Sequence, residues 1–359
     1  MNKGQSINGY TITEDCSVSG LCRWSFAEKG GREYFIKEFL SPTYPLPEAP
    51  GSRVSKELRK KKCEEFEKHH RMLQSALKRK CSAGGNLVIA QDFFREKAKY
   101  YKVTEKVNVS SLSIKDVSSL PTDKKLLIAK TISHSLGILH SERIVHGDLK
   151  PDNILIKKTE TGDYTAKLID FDSSYFFGVP PEIAEDVVGD MVYYSPELAA
   201  YIKGDTDKSM LTGKSDIFAL GLIFHQYFTG QLPVFDKEKY GYAYVAVNNS
   251  SVLRTSSVIP VVLKELLDDM LSRDPDRRPD INTVFSTLKS RSLLEEKTGA
   301  ARKEAAVTTA YTGTLAKLLS KEDKKAGVET GITGIKPVST EKSRSSCFKG
   351  TLARLIDKS

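Results

Sequence analysis

His146-Gly147-Asp148-Leu149-Lys150-Pro151-Asp152-Asn153 puts an acid, a base and an amide into one short stretch of chain. Asp148 has the chemistry to orient an attacking hydroxyl and accept its proton, and Lys150 can neutralise charge on a moving phosphoryl group. Asn153 can hold a magnesium ion through its amide oxygen. Further on, Asp170 follows an apolar run in Ile169-Asp170-Phe171-Asp172 and supplies a second carboxylate. These are the groups that phosphoryl transfer needs.

Such groups work only if secondary structure holds them together. Residues 10–40 read as a strand meander, with short aromatic and β-branched runs at Tyr10, Trp24 and Tyr34 and a tight turn at Gly30-Gly31. Ser41–Pro50 is proline-rich and reads as a loop. Residues 53–80 read as a strongly basic helix with Phe66, Leu73 and Leu77 on one face. Leu87–Phe94 and Tyr100–Thr104 read as strands. An apolar stripe at helical spacing runs through Leu126, Leu127, Ile128, Ile132, Leu136 and Leu139. Short strands, Asn153–Ile156 and Ala166–Ile169, flank the acidic loops, and the rest to about residue 292 reads as helices and loops. A β-rich first third and a helical second part imply an α+β chain of two unlike lobes with a cleft between them.

Taken in order, these motifs resemble the eukaryotic-like Ser/Thr protein kinases over about Tyr10–Leu288, in a bacterial-type form with His-Gly-Asp and Asp-Phe-Asp variants. The resemblance implies a small β-rich N-lobe with the hinge (1–107), a larger helical C-lobe (108–292), and a flexible basic Ser/Thr-rich tail (293–359). It implies ATP with Mg²⁺, or alternatively Mn²⁺, and a protein substrate presenting Ser or Thr. Lys37 resembles the strand lysine on the nucleotide phosphates, Thr104 the gatekeeper, and Glu105 and Val107 the hinge backbone that bonds adenine. Asp148 and Lys150 take the catalytic positions, and Asn153 and Asp170 those of the metal ligands. Asp216 resembles the aspartate that braces the catalytic loop. Glu197 and Arg278 match the late, buried ion pair.

Several positions depart from the family pattern. Where three phosphate-loop glycines are expected, the chain has Ser17, Ser19 and Cys22, with only Gly20 nearby. Gly147 stands where an arginine usually meets a phosphorylated activation segment, which implies activity independent of such phosphorylation. Asp172 replaces a glycine, as either a second metal ligand or a stiffener of the turn. The helix glutamate expected to pair with Lys37 is Glu67 or Glu65, although the inward face carries His69 or His70.

Five cysteines (16, 22, 63, 81 and 347) form no CxxC pair and read as free thiols in a reducing, cytoplasmic setting. No apolar run is long enough for a membrane helix. The net charge of +9 is concentrated beyond residue 297, but with only Tyr311 and Phe348 as aromatics there the tail does not read as a nucleic-acid surface. It does repeat itself: Tyr311-Thr-Gly-Thr-Leu-Ala-Lys-Leu-Leu319 recurs as Phe348-Lys-Gly-Thr-Leu-Ala-Arg-Leu-Ile356. The repeat is either a pair of plain amphipathic turns or a duplicated docking or phosphoacceptor peptide, with Thr314 and Thr351 as equivalent sites. Two competing functions are a nucleotide-binding pseudokinase or scaffold, and a small-molecule phosphotransferase of the aminoglycoside type.

Overall fold

A computed structural model of the chain describes residues 1–80, 85–107, 111–182, 187 and 189–290. Thr314, Thr351 and the repeat that carries them lie outside the described residues.

The first lobe is a curled antiparallel sheet: β1 (Ser6–Ile7), β2 (Tyr10–Ile12), β3 (Ser17–Ser19), β4 (Cys22–Lys29), β5 (Arg32–Phe39), β6 (Asp92–Glu96) and β7 (Lys99–Glu105). The strands run in the order β1-β2-β4-β5-β7-β6, with β3 paired to β4. Alternation along each strand divides the sheet into two faces. Ile7, Tyr10, Ile12, Ala27, Ile36 and Val103 fill one face. Phe39, Phe93 and Tyr100 fill the other and pack with Cys63 of α1 (Arg53–Lys80). The β5–β7 register pairs Lys37 directly with Lys102, so both side chains leave the sheet on the α1 side. Strand structure expected over Leu87–Phe94 begins only at Asp92, because the earlier residues join the other lobe. Val88 donates to the carbonyl of Leu168 at 2.9 Å, and Leu168 donates to Asn86 at 2.8 Å.

The second lobe contains α2 (Ile114–Ser118), α3 (Thr122–Ser141), α4 (Pro196–Lys203), α5 (Gly213–Thr229), α6 (Lys237–Tyr240), α7 (Ala243–Asn248), α8 (Val261–Met270) and α9 (Ile281–Lys289). Two small antiparallel pairs cross it, β9 (Ile154–Lys158) with β10 (Tyr164–Leu168) and β8 (Ile144–Val145) with β11 (Tyr175–Phe176). Helix α5 is apolar all round and forms the core, with Ile217, Phe218, Leu220, Leu222, Ile223 and Phe224 at 0% exposure. It starts where the Thr212 side chain accepts from the Lys214 amide and stops at Gly230 with φ 82°. Helix α3 lays Leu126, Ile132, Leu136 and Leu139 against it, and α9 closes the lobe with Ile281, Val284 and Leu288. The α+β, two-lobed architecture is the one the motif order implied.

The functional loops are the connections of this frame. One runs from β8 to β9 and carries His146–Asn153; the other runs from β10 to β11 and carries Ile169–Ser174.

Candidate active site

The β8–β9 loop is fixed from below by α5. Asp216, 2% exposed, accepts from the amide of His146 at 2.8 Å on Oδ2 and of Gly147 at 3.3 Å on Oδ1, while His140 Nε2 lies 3.0 Å from the same Oδ2. A buried carboxylate satisfied by backbone donors sets the course of the loop. Gly147 has φ +81°, and a Cβ there would lie 2.2 Å from the carbonyl oxygen of Ser173. Glycine is therefore required on two counts, conformation and space. The neighbouring loop locks in beside it: the Ser174 hydroxyl donates to the His146 carbonyl at 2.9 Å, and His146 packs on Phe171.

Asp148 lies at the centre. One carboxylate oxygen receives Lys150 Nζ at 2.7 Å and Asn153 Nδ2 at 3.0 Å; the other receives the Asp190 amide at 3.1 Å. The Asn153 amide nitrogen also donates to the Asp148 carbonyl at 2.7 Å, so the side-chain oxygen of Asn153 is left without a hydrogen bond among the described residues. The Asp190 carboxylate caps the following turn by accepting from Val192.

The Asn153 carbonyl accepts from the Ile169 amide at 3.0 Å, tying the two acidic loops together immediately before Asp170. Asp170 adopts φ +60°, a left-handed conformation that a short polar side chain tolerates. Asn153 and Asp170 offer hard oxygen donors, one amide and one carboxylate. That set suits Mg²⁺ or Mn²⁺ completed by phosphate oxygens and water.

Lys37 meets Asp170 at 2.8 and 2.9 Å and Asp172 at 2.7 Å. Burial would by itself lower the Lys37 pKa, but Asp172 and Asp170 overcome it and raise the pKa well above the ordinary lysine range. Lys102 joins from the adjacent strand, 3.2 Å from Asp170 and hydrogen-bonded to Asp172. Burial would raise the Asp172 pKa; Lys102 and Lys37 instead hold it well below the usual carboxylate range. Nothing in the sequence alone singled out Lys102. Only the strand register, which places it opposite Lys37, could have found it.

The pair expected between Lys37 and Glu67 or Glu65 does not form. Glu65 is 65% exposed and lies 3.8 Å from Lys61 one turn away. Glu67 accepts from the Tyr100 hydroxyl at 2.8 Å and lies 3.8 Å from Arg95. The face of α1 toward the loops carries His69, 2.9 Å from the Ser174 carbonyl, and His70, stacked on Phe93. Burial pushes the His70 pKa down to about 3, so it is neutral.

Thr104 is buried near the end of β7, Glu105 pairs with Lys167 at 3.0 Å, and the backbone of Val107 makes no hydrogen bond among the described residues. Ser17 and Ser19 lie on exposed β3, and Gly20 turns the chain into β4 with φ +56°. The phosphate-loop candidate is thus a narrow hairpin. Glu197 and Arg278 form a two-pronged pair at 2.7 and 2.8 Å with Arg278 1% exposed. Ser215 donates to the same glutamate, and the arginine also donates to the carbonyls of Ser272, Lys214 and Arg273. A separate groove of about 770 Å³, lined by residues such as Val252, Arg254, Lys264 and Arg273, contains none of Lys37, Asp148, Lys150, Asn153, Asp170 and Asp172.

The protein kinase domain family matches residues 51–288, well over half of the chain. The chain belongs to the protein kinase family. The match begins after Lys37, so the strand lysine is placed by the sheet and not by the family match. Similar proteins include the serine/threonine-protein kinase PknA of Corynebacterium glutamicum, 31% identical over 46% of this chain and 33% of that one. Calcium-dependent protein kinase 2 of Arabidopsis thaliana is 33% identical over 44% of this chain and 23% of that one. The probable serine/threonine-protein kinase PknB of Lactococcus lactis is 25% identical over 59% of this chain and 33% of that one. This kinase chain therefore spans a third or less of the length of these three relatives. Among its described residues no helix is long and apolar enough to cross a membrane.

Proposed function

We propose that this kinase transfers the γ-phosphoryl group of ATP to Ser or Thr hydroxyls of a protein substrate. The observation that carries this is the single hydrogen-bonded group of Asp148, Lys150 and Asn153, joined through Ile169 to Asp170 and, beyond it, Lys37. Adenine lies against the backbone of Glu105 and Val107, under Thr104, and Lys37 holds phosphate oxygens. Asn153 and Asp170 hold Mg²⁺, with Mn²⁺ as an alternative; when bound, the ion neutralises phosphate charge. Asp148 orients the acceptor hydroxyl and takes up its proton, and Lys150 stabilises charge on the transferred group. Rate enhancement comes from positioning and electrostatics, without a covalent enzyme intermediate.

Activity independent of activation-segment phosphorylation is supported by three positions. Gly147 leaves no arginine to read a phosphate, and a side chain there would collide with Ser173. Of the hydroxyls between Asp170 and Glu197, those of Ser174 and Ser195 are buried and engaged, Ser174 with His146 and Ser195 as the cap of α4. The cytoplasm is the compartment that fits free thiols and ATP. The tail repeat is proposed as a docking or autophosphorylation element acting through Thr314 and Thr351.

The test is phosphate transfer from labelled ATP to a generic basic protein and to an aminoglycoside panel. Transfer to Ser and Thr of the protein, lowered at least about a hundredfold by Asp148→Asn and by Lys37→Met, is expected. Nucleotide binding without transfer would identify a pseudokinase, and transfer to the small molecules alone would move the chain to the other class.

A further inference from the structure

In this kinase the anion that steadies the strand lysine stands on the metal loop. Asp172 gives one oxygen to Lys37 at 2.7 Å and the other to Lys102, a bidentate bridge between two lysines on neighbouring strands. Helix α1 supplies no anion to either lysine: Glu65 and Glu67 are engaged elsewhere, and the residues facing the loops are His69 and His70. The cluster holds two cations and two anions, which is the condition for keeping charges in a half-buried site. Lys102 is 9% exposed on its side chain and Lys37 13%, so both ammonium groups are largely withdrawn from bulk water.

Asp170 is bound by the same two lysines, at 2.8 and 3.2 Å. Two ammonium groups on its oxygens weaken Asp170 as a cation ligand. With Asp172 present, both lysines keep an anion when Asp170 turns to a cation. Without it, Asp170 is their sole counter-charge among the described residues.

We propose that Asp172 is a positioning residue that holds Lys37 and Lys102 from the metal loop, in place of a helix glutamate, and thereby frees Asp170 for the divalent cation. The proposal rests on the kinase assignment above. The anion and the metal ligand then share one short loop, which α1 touches through His69 and the Ser174 carbonyl.

The test is a mutant cycle on the full chain with Asp172→Asn, Lys102→Met and the double variant. In the absence of metal and nucleotide, thermal unfolding is measured for all four proteins, and binding of a fluorescent ATP analogue is titrated with and without Mg²⁺. The two single substitutions are expected to be strongly non-additive in unfolding, because each strips the other residue of its partner. Asp172→Asn is expected to raise the Mg²⁺ concentration for half-maximal nucleotide binding and phosphate transfer by roughly tenfold or more, with metal-free nucleotide binding changed by less than about threefold. Lys102→Met is expected to leave the Mg²⁺ requirement within about threefold, and to offset about half but not all of the Asp172→Asn defect, because Lys37 still competes for Asp170 in the double variant. Additive effects would overturn the proposal, as would an unchanged Mg²⁺ requirement in Asp172→Asn. Loss of one bound Mn²⁺ per chain, without coupling to Lys102, would make Asp172 a metal ligand instead. If Asp172→Asn does not fold, comparison of Lys102→Met with the double variant isolates Asp172 with one lysine removed, and an unchanged Mg²⁺ requirement there refutes it. Should the wild type transfer no phosphate, the unfolding cycle and the binding titrations still decide the role of Asp172, so the two failures are distinguishable.

Discussion

At the residue scale, the most exacting contact is the one between Glu197 and Arg278. Both charges are buried, and each is satisfied only by the other and by nearby hydroxyl and backbone groups. Removing one partner leaves an uncompensated charge, whereas removing both leaves no charge but strips the Ser215 hydroxyl and the carbonyls of Ser272, Lys214 and Arg273 of a partner. Glu197→Ala is therefore expected to cost about 3–5 kcal/mol of unfolding free energy in urea, and Glu197→Leu/Arg278→Met to regain part of it. Equal losses in the single and double variants would show that the pair is not what holds the loops there. Gly147→Ala tests a different constraint. A methyl group 2.2 Å from the Ser173 oxygen cannot be accommodated unless the two acidic loops separate. That separation displaces Asp148 relative to Asp170, so transfer is expected to fall at least about tenfold while most of the stability remains. Wild-type rates in Gly147→Ala would refute the steric role.

At the element scale, helix α1 explains both what the sequence made legible and what it concealed. The helix limits and the order of the two acidic loops follow from local signals, whereas the Asp216 brace and the Glu197–Arg278 pairing join positions far apart in the chain and are implied by the family resemblance. The partner of Lys37 follows from neither. It depends on how a 28-residue helix is rotated over the sheet and on which residue of β7 lies opposite Lys37. Phe66, Leu73 and Leu77 locate the buried face, but the rotation that buries Cys63 and His70 carries Glu65 into solvent and Glu67 to Tyr100. A neutral buried histidine on that face has a consequence in pH. Burial lowers the His70 pKa from 6.5 to about 3, so below pH 6.5 the unfolded chain takes up a proton that the folded chain refuses. Stability is thus fully present above about pH 6.5 and declines as the pH falls toward 3. Between pH 6.5 and 5 this one group accounts for about 2 kcal/mol. His70→Phe, which keeps an aromatic ring against Phe93, is expected to remove that share of the acid loss in urea titrations at the two pH values. An unchanged slope would place the acid sensitivity elsewhere.

For the whole molecule, the question is where the cooperative unit ends. Core residues continue to the last turn of α9: Val284 and Leu288 are at 0% exposure and pack into the cluster that contains α3 and α5. Cutting within α9 would expose these side chains and open a cavity against α3, at a cost of several kcal/mol. A cut after Ser290 removes none of them. The chain truncated to 1–290 is therefore expected to melt within about 2 °C of the full chain and to phosphorylate an added protein substrate at a similar rate, since every group placed at the site lies before it. The two versions should differ in what they modify. If the repeated Thr314 and Thr351 are acceptors, the full chain incorporates phosphate into itself that the truncated chain does not, and the Thr314→Ala/Thr351→Ala variant matches the truncated chain in self-labelling while keeping its rate on added substrate. Full self-labelling of the double-alanine variant would dismiss those two hydroxyls as acceptors. A truncated chain that melts far below the full one would show that residues beyond 290 contribute to the folded unit, and the boundary drawn at α9 would have to move.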